Sequence, residues 1–311
     1  MKYLNLKNLF LRLGNKRLAM LSTLCLALLI SSRAQQKISY RVNADDNSLL
    51  WKISGNGLTK NSFIFGTFHL MCKDDIILSA QLRAALSASD VLYLELDMDD
   101  PAMLFGAMKY LNMRDGKELK EFYTDEEFAR ITSFFSDTLH TPVMLFKNAK
   151  PYFLVALLYP KMLHCSPAGS IEEALVKEAK EYGKEVKGLE TIEQQASIFD
   201  SIPYEIQAKE LLNNIDSLDK YQSEFDELLT SYKSQDLSRI EKLMSKTDMG
   251  LGNNMDLLVD ARNRDWISQL DTLMKTESIF AAVGAGHLVG ENGVLQLLKD
   301  KGYKVEPLEN K

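Results

Sequence analysis

The chain of 311 residues is poor in two residue types that carry chemistry: it has three cysteines and four histidines. Three cysteines cannot build a disulfide framework, so the fold must rest on an ordinary apolar core. No Walker A loop, G-x-S-x-G elbow or H-E-x-x-H helix occurs, which excludes the sequence signatures of a phosphate-cradling P-loop, an elbow serine hydrolase and a helix-borne zinc site. Positive charge is in deficit, with 37 Lys and Arg against 43 Asp and Glu and a net charge of -6. An excess of carboxylates repels phosphate backbones and anionic lipid, so neither nucleic acid nor a membrane surface is an expected partner.

What the N-terminus does have is Lys2, Lys7, Arg12, Lys16 and Arg17 without an acid, then an apolar run from Leu18 to Ile30. That run is short of the roughly 20 residues a spanning helix needs, and Ser32 and Ala34 supply small residues for cleavage. Residues 1–34 read as a secretory signal peptide and 35–47 as a linker, which implies export to a periplasmic or extracellular space with no membrane association afterwards. An uncleaved anchor and lipidation at Cys25 are the rival readings, and the bulky Leu24 disfavours the second. Cleavage takes six basic residues and no acidic ones, moving the charge from -6 to -12. Cys72 and Cys165 remain, and an oxidising compartment permits a bond between them without requiring it.

Residues 48–311 read as one α/β (α+β) domain around a central mixed or parallel sheet. Ser48 to Thr67 is a hairpin pattern turned at Ser54-Gly55-Asn56-Gly57. A helix from Ala80 to Ser87 leads into Val91 to Asp97, an apolar strand in which Glu95 and Asp97 share a face. From Pro101 to about Tyr159 the spacing is helical, with Thr124 to Glu127 as a cap; Ser170 to Glu173 reads as a capping box ahead of a helix to Tyr182 and a strand Val186 to Leu189. Helical spacing from Tyr204 to Tyr232 marks residues 204–247 as a helical insertion or lid, left through a turn at 250–254. A strand from Ile279 to Val283, a helix Gly293 to Lys301 and a strand Tyr303 to Leu308 close the chain. This last unit repeats the first in outline, as duplicated strand-GxxH-helix-strand units would.

Both G-x-x-H motifs, Gly66 to His69 and Gly284 to His287, fall where a strand passes into a loop, the place at which open α/β sheets bind ligands. Imidazole is a common metal ligand and the usual base near neutral pH. Glu95, an acid in an apolar strand, is costly unless paired or hydrogen-bonded, and reads as a ligand, a general base or half of an ion pair. Glu190 ends another short strand. Arg262 and Asn263 stand one turn before Trp266 and Ile267 on the buried side of a helix, where Arg262 could orient a carboxylate, stabilise developing negative charge or serve packing alone. His140 and His164 read as surface or helix-packing residues. Gly284-x-Gly286-x-x-x-Gly290 with Glu306 is a weak dinucleotide fingerprint, set at the last strand-turn-helix rather than the first.

Leu50 to Gly57, Phe65 to Leu70, Leu94 to Asp97, Gly188 to Thr191, Arg262-Asn263 and Val283 to Leu288 together resemble the TraB/GumN family, in order and over nearly all of residues 48–308. The resemblance implies kinship with the Tiki metalloproteases and the erythromycin esterase and ChaN-like group, where paired G-x-x-H motifs and a glutamate are the proposed site. Relatives differ in activity, so the resemblance does not choose one; the leading reading is a metal-dependent hydrolase, a peptidase first, in which His69, His287 and Glu95 bind a divalent ion (zinc, manganese or cobalt). Glu95 or Glu190 would serve catalysis, with Arg262 and Asn263 in support. The alternative is a non-catalytic protein that holds a small ligand, haem or peptide in the same cleft.

Overall fold

The computed structural model describes residues 47–100, 109–246 and 254–310. The signal peptide and linker, up to residue 46, lie outside the described residues, as does all but Asn254 of the turn at 250–254. Among the described residues the strands are β1 (Leu50–Ser54), β2 (Ser62–Thr67), β3 (Met71–Cys72), β4 (Val91–Leu94), β5 (Ala168–Gly169), β6 (Glu185–Gly188), β7 (Ile279–Gly284) and β8 (Lys304–Leu308). Six of them form a mixed sheet in the order β6-β4-β7-β2-β1-β8, while β3 and β5 pair separately. β6, β4, β7 and β2 run parallel, and β1 opposes both of its neighbours. The hairpin turn works because Gly55, Asn56 and Gly57 all accept positive φ (76°, 47° and 81°), the backbone region open to glycine and asparagine.

Helices α1 (Ala80–Ala88), α2 (Asp125–Asp137), α3 (Pro151–Ala156), α4 (Tyr159–Met162), α5 (Ile171–Glu181) and α6 (Ile192–Ser201) come first. They are followed by α7 (Tyr204–Asp216), α8 (Leu218–Lys233), α9 (Leu237–Lys246), α10 (Ala261–Leu273) and α11 (Val294–Asp300). One core covers the sheet, with Trp51, Ile64, Leu92, Phe280 and Leu298 sealed inside. A second lies among the helices around Ile131, Phe135, Leu158 and Leu211. Phe68 packs against both, which anchors the residue before His69.

Three expectations need correction. The strand read as Val91 to Asp97 stops at Leu94, so Glu95 and Asp97 do not share a strand face; Asp97 Oδ1 instead accepts from Asp99 N–H at 3.0 Å. The stretch from 101 to 159 is no continuous helix. Its described part holds three 3-10 turns besides α2 and α3, because Pro142, Pro151 and Gly116 interrupt it. The long pattern from Tyr204 to Tyr232 is two helices, broken at Ser217 (φ -124°, ψ 33°). Both G-x-x-H units lie in the one mixed sheet, with β7 between β2 and β4. Ser170 Oγ caps α5 by accepting from Glu173 N–H at 3.1 Å.

Candidate functional site at the strand ends

Parallel strands bring their carboxyl ends to one sheet edge, and here four consecutive ones do. Reading across β6, β4, β7 and β2, the residues just past the ends include Glu190, Glu95, His287 and His69. Glu95 is central. Its Oε1 accepts from Gly284 N–H at 2.8 Å and stands 3.9 Å from His69 Nε2 and 3.8 Å from His287 Nε2.

Each imidazole is fixed from behind. His69 Nδ1 lies 2.6 Å from Glu172 Oε1, and a carboxylate can only accept, so Nδ1 carries the proton. His287 Nδ1 lies 2.7 Å from Asn263 Oδ1. The amide of Asn263 donates to the backbone oxygens of His287 and Asn292 at 3.2 and 2.8 Å, which orients Oδ1 as the acceptor and makes His287 Nδ1 the donor. The neutral tautomer of His287 therefore presents a lone pair at Nε2 toward Glu95, as metal-ligating histidines do when a second residue holds the other nitrogen.

Arg262 fills the space between the carboxylates. Its guanidinium donates to Glu95 Oε2 and to both oxygens of Glu190. Nη1 donates to Leu258 O at 3.0 Å and reaches His287 Nε2 at 3.1 Å. Gln195 Nε2 holds Glu190 Oε1 from the other side at 3.0 Å. The indole of Trp266 backs the group, 4.7 Å from Arg262 Cζ and 4.6 Å from the His287 ring.

Protonation follows from this arrangement. Burial, with Arg262 and His69 adding to it, pushes His287 down to about 3 against the pull of Glu95, so at pH 7 it is neutral. Burial opposes charge on Glu95, yet His287, Arg262, His69 and the Gly284 N–H hold it well below the usual carboxylate range. Since His287 is neutral at pH 7, Arg262 and His69 are the cations acting there. Burial also lowers His69, but the Glu172 hydrogen bond and the charges of Glu95 and Glu172 outweigh it and raise the ring to about 9. With 67% of that side chain exposed, screening trims this effect without changing its sign. Burial raises Glu190 and Glu95 adds to it, against Arg262.

These shifts predict a stability maximum for the metal-free protein. Below 6.5 the unfolded chain protonates His287 while the folded one resists until about 3, so stability falls with acid through that window. From 6.5 to about 9 the folded state keeps a proton on His69 that the unfolded state loses, so stability falls again with base. Thermal melts against pH check this, and in His287→Asn the acid limb should be shallower.

A cleft of about 310 Å³ opens beside the cluster, lined by His69, Glu95, Glu172, Gln195, Leu96 and Met98. Gly284 lies where the cluster converges: a methyl there would stand 3.3 Å from Glu95 Oε1, 3.4 Å from His69 Nε2 and 3.6 Å from His287 Cδ2. Its φ of -49° suits alanine. Gly284→Ala is therefore expected to fold, with a melting point close to native, while losing most ligand binding at the cluster; unchanged ligand affinity would show that nothing binds at that convergence.

Of the residues read from the sequence, His69, His287, Glu95, Glu190 and Arg262 meet directly. Asn263 does not face the cleft: it is 0% exposed and serves by orienting His287. His140 and His164 stand outside the cluster, the latter 3.0 Å from Asp226. Sequence reasoning missed Glu172, Gln195 and the Gly284 N–H. Glu172 left a signal, three residues before Leu175 and seven before Ala179 on the buried stripe of α5, where an acid needs a partner.

The TraB/PrgY/gumN family model matches residues 49–307. The chain belongs to that family. This TraB/PrgY/gumN chain is 25% identical over 325 residues to a metalloprotease TIKI homolog of Amphimedon queenslandica, covering 86% of itself and 62% of that relative. Metalloprotease TIKI2 of Danio rerio is 23% identical, with 84% and 61% covered, and metalloprotease TIKI1 of the same fish 21%, with 85% and 63% covered. The chain thus spans 61–63% of the length of these relatives. No solved structure matches it.

Whether the cluster suits a cation can be judged from its donors. Among the described residues no three His, Cys, Asp or Glu side chains stand ready-made to hold one. The donor chemistry nonetheless fits: one fixed Nε2 lone pair, a second imidazole that frees its own Nε2 on losing a proton, and a carboxylate oxygen. At bonds of roughly 2.0–2.2 Å, donors around one four-coordinate ion sit ~3.3–3.6 Å apart, a few tenths closer than found here. Two things stand in the way: the proton that the raised pKa of His69 keeps on its Nε2, and Arg262 Nη1 on His287 Nε2 at 3.1 Å.

Proposed function

We propose that this protein is an exported metal-dependent hydrolase that cleaves peptides, with His69, His287 and Glu95 holding a divalent zinc, manganese or cobalt ion. The observation that carries this reading is the approach of both Nε2 atoms to one oxygen of Glu95, each imidazole being tied back at Nδ1. Its relatives' names as metalloproteases support the same class. A cation in that place would supply Lewis acidity, polarising a carbonyl and lowering the pKa of a bound water.

The chain's own residues divide the remaining work. Asn263 and Glu172 keep the imidazoles aimed at Glu95. The depressed pKa of Glu95 makes it a persistent anion and a weak proton acceptor, which suits a ligand better than a base. Glu190, raised by burial, is the carboxylate better matched to proton transfer. Arg262, once off His287, remains on Glu190 and Leu258 O with one Nη1 hydrogen released to hold a developing oxyanion. Leu96 and Met98 give the cleft an apolar wall for substrate side chains.

The test is a full chain stripped of metal, reloaded separately with zinc, manganese and cobalt, and assayed on a peptide library beside His69→Ala. Cleavage that returns with metal and disappears in His69→Ala is expected. Stoichiometric capture of a peptide, haem or small ligand without turnover would overturn the hydrolase reading in favour of a binding protein.

A further inference from the structure

The four strand-end residues are not held equally. His287 is buried against Asn263 and Trp266, whereas His69 leaves the main sheet on a segment whose ring is largely exposed. What that segment meets is the stretch leading into α5, the helix that carries Glu172. β3 and β5 join the two: Met71 pairs with Gly169 and Cys72 with Ala168, and Lys73 N–H donates to Pro167 O at 3.2 Å.

A two-residue ladder is a weak clasp by itself, since even isolated two-stranded hairpins are marginal in water. Here it is locked covalently. Cys72 and Cys165 form a disulfide with Cα atoms 5.8 Å apart, across a sequence separation of 93. Cys72 follows His69 by three residues, and Cys165 precedes Glu172 by seven. The bond therefore spans the same two segments as the 2.6 Å contact between His69 Nδ1 and Glu172 Oε1.

We infer that the Cys72–Cys165 disulfide is the positioning pair for His69, holding the segment that bears this histidine against the segment that bears Glu172. The consequence for metal binding rests on the function proposed above, while the positioning itself does not. Without the bond, the cluster keeps its inner half, His287, Glu95, Asn263 and Arg262, and loses a fixed outer imidazole.

The experiment compares the full native chain with Cys72→Ser/Cys165→Ser, reading amide hydrogen exchange and Zn²⁺ affinity by calorimetry, with Glu172→Ala as a reference. Loss of protection confined to residues 69–73 and 165–172 is expected, together with a fall in Zn²⁺ affinity of about 10- to 100-fold, as for removal of an outer partner of a metal ligand. In the Glu172→Ala background, which leaves His69 Nδ1 without its acceptor, removing the cysteines should then cost little more, because both changes free the same ring. Unchanged exchange over 69–73 would overturn the inference, and so would an equal loss of affinity in both backgrounds. If the native chain takes up no Zn²⁺, the metal reading fails while the exchange result still decides the positioning. Should the serine variant not fold, native protein reduced in the folded state by a phosphine gives the same exchange comparison.

Discussion

Arg262→Met should destabilise the metal-free protein by about 3–5 kcal/mol, the cost of stranding buried charges when one partner of a buried pair is removed. The reason lies in what the guanidinium serves. It is the shared cation of Glu95 and Glu190 and a donor to Leu258 O and His287 Nε2, and the side chains of all three charged residues are 11% exposed or less. Methionine fills much of the volume and replaces none of the donors. At roughly 2–4 °C per kcal/mol for a chain of this size, the melting point should drop by about 6–20 °C. Glu190, whose pKa is already raised, should take up a proton in the variant, so the loss should shrink toward acid pH. Added metal should stabilise the variant more than the native chain, because it neutralises Glu95 and finds His287 Nε2 unoccupied. A melting point within a degree or two of native would show that Arg262 carries no such charge burden.

The second large effect concerns ligand order. Outer partners of metal-binding histidines are worth about 10- to 100-fold in affinity, so Asn263→Ala, which frees His287 Nδ1, should weaken metal binding by that much. His287→Ala removes the donor itself and should exceed about 100-fold, with hydrolysis lost alongside. Asn263→Asp keeps an acceptor for Nδ1–H and should restore much of the binding that alanine loses. Calorimetric titration of the four proteins with one metal checks the order. If Asn263→Ala proved as damaging as His287→Ala, or if neither mattered, the division between ligand and orienting residue drawn from the hydrogen bonds would be wrong.

How far the sequence alone reaches depends on whether a feature is local. The Gly55-Asn56-Gly57 turn, the strand before each G-x-x-H motif and the closing helix and strand are written in short-range patterns, and they sit within a residue or two of the structure. His69 and His287 stood out because histidine is scarce and the two share a motif. Glu95 and Arg262 stood out because each is a charge on an apolar stripe. What the pattern could not carry was pairing at a distance. Glu172 is an ordinary first-turn acid until His69, 103 residues earlier, is laid beside it, and the role of Gly284 N–H depends on β4 and β7 being neighbours. Asn263 shows the converse: helical spacing placed it on the buried face, but only the fold reveals that its three hydrogen bonds all go to the His287 loop. The breaks near Pro142, Pro151 and Ser217 escaped a periodicity argument because the apolar spacing continues through them.

The most direct measurement is X-ray absorption on the full chain loaded with one equivalent of zinc, recorded for the native protein and for His69→Ala and His287→Ala. The native spectrum should show two imidazole nitrogens and a carboxylate oxygen in the first shell, with one imidazole missing in each variant. A bound ion whose first shell contains no imidazole, or is identical in all three proteins, would contradict a site shared by His69, His287 and Glu95.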